Sequence, residues 1–144
     1  MAQAVDVAKY IAEKYGEVSA MKLHKLAYYC QAWHLVWREQ ELFPEDFQAW
    51  ANGPVIRSLY GWHRKQFLVT PAMLPTGDSS QLSADQKAVI DKVLSFYGDK
   101  TAQWLSDLTH TERPWLAARE GLKPGEASEN IIDKASMHEY YASL

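Results

Sequence analysis

Residues 22–37, KLHKLAYYCQAWHLVW, are apolar on too many sides to lie on a surface as a helix. Leu23, Leu26, Cys30, Trp33 and Trp37 recur at three- and four-residue steps, and Tyr28, Tyr29, Leu35 and Val36 widen the apolar surface beyond one stripe. A surface helix needs a single stripe, so this one is expected at the centre with neighbours packed around it. Lys22, Lys25, Gln31 and Arg38 mark its expected exposed side. Ser19 is a good N-cap, and Val18 before it is placed to staple against Leu23 in the first turn.

A central helix needs partners, and helical patterns supply them. Ala4, Val7, Ala8, Ile11, Ala12 and Tyr15 share one face, and Gly16 follows as a residue able to end the helix in a left-handed conformation. Ser83 and Gln86 form a capping-box pattern ahead of Val89, Ile90, Val93, Leu94 and Tyr97, with Gly98 expected to close that helix. A short helix carries Trp104, Leu105 and Leu108, and Asp133 caps a last one bearing Met137, Tyr140 and Tyr141. Phe47, Gln48, Ala49 and Trp50 are too brief for a helix and predict a small strand, with the β-branched pair Ile131-Ile132 as its partner. Asn52-Gly53-Pro54 breaks the pattern, and Pro54 is expected at the first helical position, opening a helix through Val55, Ile56, Leu59, Tyr60 and Trp62 that Gly61 weakens. Residues 68–82 contain two prolines, a glycine and two adjacent serines, predicting the one long irregular stretch, of a kind often mobile or functional. Lys123-Pro124-Gly125 predicts a turn.

Proline geometry places the segment THTERPW at 109–115. With Thr109 as N-cap, Pro114 would fall where its missing amide breaks a helical hydrogen bond; with Thr111 as N-cap that amide goes unmissed. The expected helix therefore starts at Glu112, whose charge suits a helix start, and runs through Trp115 to Arg119, ending near Gly121 and leaving Thr109 and His110 in a tight corner between helices. The 144 residues, 47% hydrophobic with six tryptophans, fit one domain over 1–144 with a sizeable core: mainly α, six or seven helices and a minor two-stranded element.

Composition also narrows function. A net charge of −3 leaves no global basic footprint of the kind nucleic-acid binding usually leaves. The stretch 57–65, RSLYGWHRK, is locally basic with interleaved aromatics, but a solvated helix face accounts for it more simply than phosphate contact, so nucleic-acid binding is the alternative and not the favoured role. The single cysteine, Cys30, excludes an intrachain disulfide, fits a buried small apolar side chain, and suggests a reducing compartment. The N-terminal residues alternate charge with apolar side chains, and no run approaches the roughly 18 apolar residues of a membrane span, so a cytoplasmic protein without membrane contact is expected.

Catalysis finds poor support. His24, His34, His63, His110 and His138 are the candidate titratable groups, and His110 with Glu112 spells the H-x-E of zinc deaminases, but those enzymes need downstream cysteine ligands that one cysteine cannot supply. HExxH, G-x-S-x-G and phosphate-loop patterns are absent from the sequence, and no enzymatic activity, metal or cofactor is expected. His110 is read as a residue that fixes the corner by bonding a backbone carbonyl or Glu112; the functional alternative has His110 and Glu112 facing a partner. Six tryptophans mostly mean core, but one or two exposed rings, Trp50 or Trp62, would mark a binding patch.

KLHKLAYYCQAWHL, then AWANGPV, then a capped helix ending in YG, and finally THTERPW resemble, in order and separation, the Panacea antitoxin domain, the family that includes SocA-like and GepA-like phage-associated proteins. The resemblance runs over about residues 5–141. Lys25, Leu26 and Tyr28 match its helix motif; Trp50, Gly53, Pro54 and Val55 match the second block; Thr109, His110, Glu112, Pro114 and Trp115 match the third, in which Thr111 is the predicted cap. The resemblance implies a helical domain that neutralises a cognate toxin by binding it and, as in SocA-like members, an adaptor that presents the toxin to a ClpXP-type protease. Many antitoxins also repress their own operon. The expected docking surface combines the 50–54 turn with Trp50 and Asn52, the 57–65 helix with Arg57, Trp62 and Arg64, and the His110/Glu112 corner; loop 68–82 is the segment expected to close over the partner or engage a protease.

Overall fold

The structure is a computed structural model and describes residues 2–144. In chain order its elements are α1 (Ala4–Tyr15), β1 (Val18–Ser19), α2 (Ala20–Arg38), β2 (Phe47–Trp50), β3 (Gly53–Val55), α3 (Arg57–His63), β4 (Leu68–Val69), α4 (Ala84–Tyr97), α5 (Ala102–Thr111), α6 (Arg113–Ala118), β5 (Ile131–Ile132) and α7 (Lys134–Ala142). Over the described residues the protein is mainly α with seven α-helices, as expected. Its β content is larger than one two-stranded element: β3-β2-β5 form an antiparallel three-stranded sheet, and β1 pairs with β4 as a separate ribbon.

The all-round apolar helix takes the central position its composition demands. α2 is packed by α1, α4, α5, α7 and β3, and Leu23, Leu26, Tyr28, Tyr29 and Cys30 are all buried. Ser19 caps it through its Oγ, which accepts from the Lys22 amide. Two of the residues assigned to its exposed side are instead inside: Lys25 is 2% exposed and Gln31 fully buried. Gln31 is satisfied there, since its Nε2 donates to the Phe43 carbonyl at 2.7 Å and its Oε1 accepts from the Leu42 amide at 2.6 Å, tying the chain after α2 back onto the helix. A buried amide with both ends paired is tolerated.

The remaining elements follow their local signals with four corrections. Pro54 does not open a helix but sits in β3, at the sheet edge, opposite Ala49. Ala49 uses its amide on the Asn130 carbonyl and its carbonyl on Arg119, so the Ala49–Pro54 pair exchanges no hydrogen bonds and the missing proline donor costs nothing. Helix α3 accordingly starts three residues later, at Arg57. The 68–82 segment is pinned rather than loose: β4 pairs with β1, Leu74 and Leu82 are buried, Lys9 Nζ donates to the Pro71 and Leu74 carbonyls, and Asp6 accepts from the Asp78 amide. Gly98 does end α4, but in a right-handed conformation; the glycine serves close approach, because a Cβ there would strike the Tyr15 hydroxyl and the Leu94 carbonyl. Finally, α5 runs on through Thr111, so the N-cap of α6 is Glu112 and Pro114 lies within the first two helical positions. Thr109 and His110 belong to the last turn of α5, and Thr111 spends its hydroxyl on the Leu108 carbonyl instead of capping.

Candidate functional site at the clamped hairpin

The three signature blocks lie on three different elements, and the fold brings them to one place. β2 and β3 make a hairpin through Ala51 and Asn52, with the left-handed backbone falling on Gly53 at φ 125°. Only glycine fits there: a Cβ would lie 2.5 Å from Lys25 Cε, 3.0 Å from Lys25 Nζ and 3.2 Å from Thr109 Oγ1. From α5, Ser106 Oγ donates to the Asn52 carbonyl at 2.8 Å. Trp115 Nε1, on α6, donates to the Trp50 carbonyl at 2.9 Å, and Arg119 Nη1 donates to the Ala49 carbonyl at 2.8 Å. A hairpin whose carbonyls are held from one side by three side chains is a fixed feature, and Pro114 shapes the short helix that delivers one of them.

Glu112 is the anchor of that clamp and not part of its outer surface. It is 5% exposed, and its Oε1 accepts from the Tyr29 and Tyr141 hydroxyls, each at 2.7 Å. Burial raises its pKa, while the two hydroxyl donors oppose the rise. The expectation that Glu112 faces a partner is therefore corrected: its carboxylate faces α2 and α7. His110 is half-buried and lies against Trp115 with ring centroids 4.2 Å apart. Its Nε2 is buried without a hydrogen-bond partner among the described residues, and burial, then the Lys25 charge, lower its pKa.

Beside the hairpin opens a cavity of about 880 Å³, bounded by α2, the hairpin, α3 and the 125–129 loop. His24 and His63 meet in its wall with Nε2 atoms 2.6 Å apart. The Ile56 amide donates to His24 Nδ1 at 3.2 Å, so His24 carries its proton on Nε2 and donates it to His63, which is an acceptor at that nitrogen. Both rings are thereby held neutral, and burial lowers both pKa values, that of His24 well below the ordinary range. Lys25 also lines the cavity, and burial alone pulls its pKa down to about 8.

Of the residues expected to bind, Asn52, Arg57, Trp62 and Arg64 are exposed, Trp62 at 41%. Trp50 is half-buried, its ring against Tyr60 at 5.0 Å and its Nε1 donating to Gln48. Arg57 stacks over the same Tyr60, 5.5 Å from the ring centroid. Leu26, Tyr28, Pro54, Val55 and Thr109 are interior. Sequence reasoning missed Lys25, His24, His63 and Tyr60 as cavity residues, and Phe67, 79% exposed directly after the α3 segment. Lys25 was one of several polar residues on α2 and carried no distinguishing signal, and the histidine pair, 39 residues apart, left none. Among the described residues no group of three or more His, Cys, Asp and Glu side chains is placed to hold a metal, and no helix is long and apolar enough to cross a membrane.

The chain is thus a mainly helical protein built around one clamped hairpin with a cavity beside it. A family model, that of the antitoxin SocA-like, Panacea domain, matches residues 23–116, and the chain belongs to that family. The matched span covers α2 to α6 and leaves α1 and α7 outside, although Tyr141 of α7 completes the Glu112 site. No curated protein and no solved structure matches the chain.

Proposed function

We propose that this protein is an antitoxin that neutralises a cognate protein toxin by direct contact, itself making and breaking no bond. Membership of the antitoxin family is the observation that carries this reading. The contact surface we assign is the hairpin tip with Asn52, the exposed face of α3 with Arg57, Trp62 and Arg64, and the adjoining Phe67 and Leu68. Large aromatic rings next to arginines suit a protein interface, since they bury much area at small entropic cost. The clamp supports the surface by holding the hairpin rigid, which lowers the ordering cost of binding.

The experiment is to express the small open reading frame next to this chain's gene alone and together with the chain. Growth arrest by the first and rescue by the second is the expected result; arrest that persists beside folded, expressed protein contradicts the reading. Delivery of the toxin to a ClpXP-type protease rests on kinship alone. Toxin lifetime in protease-competent cells, measured with and without this chain, decides between delivery and simple blocking, and blocking leaves that lifetime unshortened.

A further inference from the structure

Lys25 lines the cavity and takes no part in the clamp. Its carbons are covered, it is 2% exposed, and it still reaches the cavity wall beside Gly53. Among the described residues no carboxylate lies within 4.0 Å of its ammonium. A buried cation without a partner is costly and rarely retained unless something outside the fold pairs it.

The surroundings say what would pair it. His24 and His63 are locked neutral by the Ile56 amide and by each other, so they neither repel nor balance the ammonium. The lining also includes Lys65 and, on the 125–129 loop, Glu129; both are exposed, and among the described residues neither forms a salt bridge. Half-buried His110 nearby is uncharged at neutral pH. Met21, Val55 and Tyr60 also line the cavity, and they suit an apolar stem that ends in one negative charge.

We propose that Lys25 receives the carboxylate of an acidic side chain that the bound polypeptide inserts into this cavity. The inference deepens the antitoxin reading and rests on it only for the partner being the toxin. A glutamate matches the cavity better than an inorganic anion, because its methylenes cover the apolar wall while its single charge balances a single ammonium. A neutral glutamine has the same shape but leaves the ammonium unpaired.

Two probes test this on the full chain: acetyl-Leu-Glu-Leu-amide and acetyl-Leu-Gln-Leu-amide, each titrated into isotope-labelled protein while amide shifts are followed by NMR. The glutamyl peptide is expected to shift Gly53 and Thr109 and to bind about tenfold tighter than the glutaminyl one, the preference vanishing in Lys25→Met. Equal affinity for the two peptides, shifts confined to other residues, or no shift at ~10 mM peptide overturns the proposal, and the wild-type titration does so even if the variant fails to fold. Inorganic phosphate that shifts the same amides as tightly as the glutamyl peptide makes this a general anion site and also overturns it. The titration does not depend on neutralisation, so the two ideas fail separately. Lys25→Met that still rescues growth in full removes the toxin from this cavity and leaves the antitoxin reading intact; wild-type protein that binds the peptide but never rescues removes the antitoxin reading alone.

Discussion

Glu112 and Lys25 are both buried ionisable side chains, 5% and 2% exposed, and the fold treats them in opposite ways. Glu112 receives two hydroxyl donors and joins α2, α6 and α7. Lys25 receives no salt bridge among the described residues and borders a cavity. A charge held by two hydroxyl donors serves rigidity; a charge left unpaired beside open space costs stability in the free protein and is available to something else. The hairpin is clamped by side chains of α5 and α6 and borders the cavity that Lys25 lines, and that difference separates the scaffold from the surface it presents.

Breaking the satisfied side has the largest expected effect. Glu112→Ala orphans the Tyr29 and Tyr141 hydroxyls and should cost about 3 kcal/mol by urea unfolding, with Glu112→Gln, which keeps an acceptor, costing less than half of that. Gly53→Ala forces a side chain into left-handed backbone and against Lys25, and should cost about 2 kcal/mol by the same measurement. Lys25→Met runs the other way: it removes an uncompensated buried charge and should stabilise the protein by about 2 kcal/mol while abolishing neutralisation. A Lys25→Met variant that is destabilised would erase the contrast between the two charges.

The histidine pair gives a smaller, pH-dependent effect. His24 and His63 have folded pKa values below the ordinary 6.5, so between the folded and unfolded values the unfolded chain binds more protons. Their contribution is complete above about pH 6.5 and is lost as pH falls below it. Replacing His63 with Gln should flatten that acid limb. Smallest in stability is Trp62→Ala: the ring is exposed, so unfolding should move by about 0.5 kcal/mol or less, while rescue of growth falls sharply.

Much of the scaffold was legible because it is local. The caps at Ser19, Ser83 and Asp133 are three-residue patterns, and each forms as the sequence predicts. The strand at Phe47–Trp50 and its pairing with Ile131–Ile132 followed from composition and length. What stayed hidden depends on distant partners. Glu112 looked like a surface acid because its donors, Tyr29 and Tyr141, lie 83 and 29 residues away. Pro54 looked like a helix opener because only the spending of Ala49's groups on Asn130 and Arg119 makes a proline harmless in β3. Residues 68–82 looked mobile because Asp6 and Lys9, which hold them, come from the first helix. Lys25 was read by its charge alone, whereas its burial follows from α2 being covered on every side.

The most direct test is the titration of the Lys25 ammonium, read from the Cε chemical shift of labelled lysine with and without the glutamyl peptide. An unpaired buried cation predicts a midpoint near pH 8 in the free protein, rising toward the ordinary 10.5 once a carboxylate arrives. A free-protein midpoint already near 10.5, or one that the peptide leaves unmoved, would contradict the account.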